Sequence, residues 1–220
     1  MHYKMDTKHF QPYWRVTKVT LLAFILGLAG AIIAFVPFGL DAKAWLNPEA
    51  FLVSNLSFYT IVFLYLKQKL KSFHPLNFEN FDWRIFCKLS LIFIPYIILI
   101  GVLSILINIS GFAEEVFENL FQQNQLIFFL NFVILAPIME ELIFRGVLFS
   151  YLLKYAPQRQ AVLFSSLLFG LTHGSPDQMV SATLGGIFLA YTCIKSNTLV
   201  VPILFHAINN SLSFLVMILE

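Results

Sequence analysis

Apolar residues in this chain gather into runs long enough to cross a bilayer, separated by short polar stretches. A polar, basic arm from Met1 to Lys18 precedes the first run, 19–40, and a connector with Asp41, Lys43 and Glu49 leads to the second, 51–66. A polar stretch through Lys88 separates it from the third, 89–109, whose exit loop holds Glu114, Glu115 and Glu118 and no lysine or arginine. The fourth run, 126–155, would be about 45 Å long as a helix, against about 30 Å of hydrocarbon. Pro137 gives it a place to bend or break. The fifth, 160–173, stops at Gly174, Ser175, Pro176 and Asp177. The sixth, 178–194, contains Gly185 and Gly186, which suit close helix contact. Lys195, Ser196 and Asn197 turn the chain into the seventh, 198–219. The pattern predicts an all-α, polytopic transmembrane bundle of about 7 to 8 membrane helices, the larger number if Pro137 splits the fourth run. One integral membrane domain is expected over 1–220: the arm at 1–18, three spans within 19–125, and a core at 126–219.

Composition agrees. With 59% hydrophobic residues, 25 Phe and 12% charge, the chain lies outside the soluble globular range. A net charge of +2, with no basic cluster interleaved with aromatics, excludes nucleic acid as the expected partner. With the amino terminus in the cytoplasm, cytoplasmic segments collect 12 of the 14 lysines and arginines, leaving Lys43 outside and Arg145 in the membrane. The first run has no short charged leader and no small-residue cleavage site, so it reads as a retained helix. Cys87 and Cys193 fall near cytoplasmic helix ends, where thiols stay reduced.

The fourth run carries the chemistry. Glu140, Glu141 and Arg145 lie in an apolar stretch where each charge costs roughly 2.5 to 3.5 kcal/mol near the bilayer centre. Residues four apart share a helix face, so Glu141 pairs with Arg145 as scaffold while Glu140 points about 100° away. The other polar groups deep in the later runs are His173, His206 and Asn210. Counted from the cytoplasmic ends, Glu140, His173 and Asn210 lie at about 20 Å and His206 at about 13 Å, so the four can share a level. A carboxylate with imidazoles suits activation of water, Glu140 taking a proton and His173 orienting the water or donating to a leaving group. His206 and Asn210 would then hold an oxyanion.

Other readings use the same atoms. Glu140, His173 and His206 are a conceivable zinc set, although no HExxH occurs. A proton or ion pathway would use such groups too, but these cluster at one level. A Cys193 nucleophile lacks a histidine at helical spacing. A non-catalytic membrane partner, such as an immunity or sensor-binding protein, stands as the alternative from another class.

The same residues form a family pattern. Glu140 and Glu141 with Arg145 resemble an EExxxR motif, Phe169 with His173 an FxxxH motif, and His206 with Asn210 an HxxxN motif. Together and in this order they resemble the CAAX protease and bacteriocin-processing (CPBP, or Abi) family, which includes the type II CAAX prenyl proteases. The resemblance covers about residues 126–219. It implies an intramembrane endopeptidase acting on a membrane-associated peptide or protein, with Glu140 and His173 catalytic and His206 with Asn210 at the oxyanion. Family members have been described both as metalloproteases and as glutamate-dependent enzymes. The second form is expected here, with no cofactor and zinc as the alternative. A bacterial plasma membrane is the implied location.

Overall fold

The computed structural model describes residues 11–39, 46–73, 81–107, 112–173 and 175–219, with backbone alone for 103–107, 112–114 and 177. The outer arm (Lys4, Lys8), Asp41, Lys43 and Gly174 lie outside the described residues, as do the side chains of Glu114 and Asp177. Everything regular among the described residues is helical: α1 (Gln11–Phe35), α2 (Pro48–Leu70), α3 (Trp83–Ile107), α4 (Phe112–Gln123), α5 (Gln125–Tyr155), α6 (Gln158–Leu171), α7 (Pro176–Ser196) and α8 (Val200–Leu219).

Six of these helices are long and apolar enough to cross a membrane: α1, α2, α3, α5, α7 and α8. The remaining expected span, the fifth, is α6, which has 14 residues, about 21 Å of rise, and lies packed against α7. Pro137 does not split α5, which runs through from Gln125 to Tyr155. Helix starts fall earlier than hydropathy alone suggests. The helix α1 begins at Gln11, inside the predicted arm, and α3 begins at Trp83, inside the predicted polar stretch. Asn47 caps α2, its Oδ1 accepting from the Ala50 N–H at 2.8 Å, with Pro48 in the first turn. The loop expected after the third run contains α4, whose Leu120 and Phe121 pack against Phe128 and Phe214 while Glu115 and Glu118 stay exposed.

The bundle turns apolar side chains outward along its spans and holds Glu141 and Arg145 within. Ile33 is 70% exposed and Leu91 72%, whereas Glu141 is 0% and Arg145 1%. That inversion fits a hydrocarbon surround, where an apolar exterior costs nothing and a charge needs a partner. Small residues bring the helices together. A Cβ at Gly30 of α1 would sit 2.1 Å from Ile61 Cδ1 on α2, and one at Gly186 of α7 would sit 2.9 Å from Ser166 Cβ on α6.

The helix α5 is where the site is built. Its backbone widens into π-helical turns twice, at Leu130–Leu135 and Leu142–Phe149, on either side of the α-helical segment Ala136–Glu141. The first widening has a chemical cause in Pro137. The Ala136 N–H reaches back five residues to the Asn131 carbonyl. In the same register the Phe132 carbonyl would meet residue 137, and proline has no N–H to offer. That carbonyl accepts instead from Asn210 Nδ2 on α8, at 2.8 Å.

Candidate active site

Glu140 and Glu141 lie on the segment between the two π-helical stretches, and each finds partners on other helices. Glu141 Oε1 accepts from Arg145 Nη1 at 2.8 Å and lies 3.0 Å from His206 Nδ1. Arg145 Nη2 donates to the Gly186 carbonyl at 3.0 Å, and its guanidinium stacks over the Phe169 ring, 4.5 Å from the centroid. These contacts tie α5 to α6, α7 and α8 around one buried ion pair. Two opposite charges removed from water hold only when hydrogen bonds accompany the Coulomb attraction, and here Glu141 Oε1 and both Arg145 Nη atoms have them while Glu141 Oε2 and Arg145 Nε have no partner among the described residues.

Glu140 is the more accessible carboxylate, its side chain 17% exposed. Oε1 accepts from the Tyr59 hydroxyl of α2 at 2.7 Å. Oε2 lies 3.8 Å from His206 Nε2. One imidazole therefore touches both glutamates. Because the Arg145-paired Glu141 carboxylate is an acceptor, His206 carries a hydrogen on Nδ1, and Nε2 is the nitrogen turned toward Glu140. The expected separation of roles between the glutamates is thus joined by a bridge that helical spacing within α5 cannot reveal.

His173 follows the last turn of α6. Its Nδ1 donates to the Phe169 carbonyl at 2.9 Å, so in the neutral ring it is Nε2 that carries the lone pair. Its ring meets the Phe169 ring edge-on at 4.8 Å, and Phe169 in turn meets His206 at 5.7 Å. Phe169 thus touches Arg145, His173 and His206 together, which gives the phenylalanine of FxxxH a physical reason. Asn210 lies one turn beyond His206 on α8, with one amide hydrogen on Phe132. Alongside these groups, Asn55 Nδ2 donates to Asn131 Oδ1 at 3.2 Å across the α2–α5 contact.

Two features of this arrangement have no motif in the sequence. Tyr59 and Asn55 stand one turn apart on α2, outside the run that carries the EExxxR, FxxxH and HxxxN motifs, and meet residues more than 70 positions away. Among the described residues no three His, Cys, Asp or Glu side chains come together as a metal-binding group. Glu140, His173 and His206 do not themselves form such a group in this arrangement.

Comparison with known proteins bears out the resemblance. Residues 122–212 match the family described as "Type II CAAX prenyl endopeptidase Rce1-like", which takes in Glu140, His173, His206 and Asn210. The chain is also similar to a Bacillus subtilis (strain 168) protein described as "Putative membrane peptidase YdiL", at 32% identity over 78 residues. That stretch is 36% of this chain and 32% of the relative, so the chain spans about a third of the length of the curated relative it matches. No solved structure matches.

Proposed function

We propose that the protein is an intramembrane endopeptidase that hydrolyses a peptide bond of a membrane-associated peptide or protein, with Glu140 as the water-activating base. The observation that carries this reading is the paired setting of Glu140: Tyr59 holds one oxygen and His206 Nε2 lies 3.8 Å from the other, inside the stretch that matches a peptidase family. Oε2 takes a proton from water as the oxygen of that water bonds to the scissile carbonyl carbon. The carbonyl π electrons move to its oxygen. When the tetrahedral centre collapses, the C–N bond breaks and Oε2 returns its proton to the departing amine. His173 Nε2, free because Nδ1 is committed to Phe169, accepts from the attacking water and aligns it.

His206 and Asn210 hold the oxyanion. From Nε2 this requires His206 protonated on both nitrogens, with Nδ1–H on Glu141. From Asn210 it uses the amide hydrogen not engaged by Phe132. Glu141 and Arg145 brace His206 from behind. No cofactor is assigned. The protein lies in a bacterial plasma membrane with its amino terminus in the cytoplasm, in keeping with the distribution of lysine and arginine.

Glu140→Ala and His173→Ala should each abolish processing while the protein still accumulates in the membrane. A phenotype that survives both substitutions, yet is lost when lipid-facing helix surfaces are altered, would instead establish a non-catalytic membrane partner.

A further inference from the structure

Glu140 has two oxygens, and one is already engaged from outside the matched stretch. The Tyr59 hydroxyl donates to Oε1 at 2.7 Å, and Oε2 lies 3.8 Å from His206 Nε2. We infer that Tyr59 is a positioning residue for the reaction, fixing the rotation of the Glu140 carboxylate so that Oε2 alone exchanges protons with water and leaving group. The inference rests on the proposed role of Glu140.

The terminal torsion of glutamate is broad and roughly two-fold, so packing alone leaves a carboxylate free to turn about its last bond. A single short hydrogen bond from a rigid donor removes that freedom, because one oxygen is then anchored and the other is aimed. Tyr59 is such a donor. Its ring is set edge-on against Phe58 at 5.6 Å, and Phe58 is set edge-on against Phe24 of α1 at 5.3 Å. One turn earlier on α2, Asn55 grips Asn131 Oδ1 on α5, and Asn131 is 2% exposed. Two polar clasps, Asn55 to Asn131 and Tyr59 to Glu140, therefore hold α2 against the helix that carries the base.

Behind α2 stands α1, brought close by Gly27 and Gly30. The first two helices thus contribute to the chemistry through one hydroxyl. After the water proton reaches Oε2, Oε1 is the carbonyl oxygen of a carboxylic acid and still accepts from Tyr59. The proton stays on the side that faces the leaving amine.

The test uses the full-length protein. Membrane peptides that remain uncut in cells carrying Glu140→Gln supply the sequence of a synthetic quenched-fluorescent peptide, and purified wild type and Tyr59→Phe are compared on it. Losing a hydrogen bond to a charged group predicts a fall in kcat of about tenfold to a hundredfold, with KM unchanged. Tyr59→His, which keeps a donor, should recover part of that loss, and Tyr65→Phe on the same helix should leave both constants unchanged. Thermal unfolding in detergent should show Tyr59→Phe folded. Wild-type kcat in Tyr59→Phe, or a loss confined to KM, overturns the inference while leaving the protease reading intact. Identical membrane peptides in wild type and Glu140→Gln overturn the protease reading itself, and the inference with it.

Discussion

His206 Nδ1 lies 3.0 Å from Glu141 Oε1, and both side chains are buried. The contact makes the second glutamate of the pair the brace of an imidazole on another helix as well as the partner of Arg145. Removing its charge leaves Arg145 buried without a counter-charge, and breaking such a pair costs about 3–5 kcal/mol. Glu141→Gln should therefore lower the unfolding midpoint of the detergent-solubilised protein by a large margin. Replacing both partners, with Glu141→Leu and Arg145→Met, should recover part of the loss, since no lone charge remains. A Glu141→Gln protein as stable as wild type would contradict the bracing role.

Asn210 answers a different need. Its amide satisfies the Phe132 carbonyl that the five-residue register and Pro137 together leave without an N–H. A buried acceptor deprived of its donor costs about 1–3 kcal/mol, so Asn210→Ala should destabilise by that amount. Pro137→Ala restores a backbone N–H at the position that lacks one. In the Pro137→Ala background, Asn210→Ala should cost less than in the wild type, read as a double-mutant cycle in thermal unfolding. Additive effects would mean that the two residues act independently.

Much of this was legible in the sequence, and the rest was hidden for definite reasons. The long spans stand out because about twenty apolar residues in a row have few other uses, and charges inside them single out Glu140, Glu141 and Arg145. The family pattern then gathers His173, His206 and Asn210, which depth counting alone places only loosely. Tyr59 gives no such signal, since a tyrosine in an apolar run looks like any other aromatic until its partner 81 positions away is known. The helix α4 was hidden by its acidic face, which reads as a loop until Leu120 and Phe121 are seen buried beneath it. The π-helical turns of α5 leave hydropathy unchanged, so only Pro137 hinted at them. The same turns explain why a helix expected to bend or break continues through the site.

A glutamate-dependent mechanism makes a prediction about metals as well. Dialysis of the purified protein against a chelator should leave hydrolysis unchanged, and elemental analysis should find no stoichiometric zinc. Loss of activity on chelation, restored by zinc, would require Glu140, His173 and His206 to draw together around an ion and would replace the water-activation scheme.

Glu140, as the proposed base of a membrane peptidase, is tested by comparing the membrane peptides of cells carrying the intact protein with those of cells carrying Glu140→Gln at equal abundance. At least one membrane-associated peptide or protein should be cut in the first and remain whole in the second. Identical peptide profiles, with both proteins equally abundant and folded, would contradict that role.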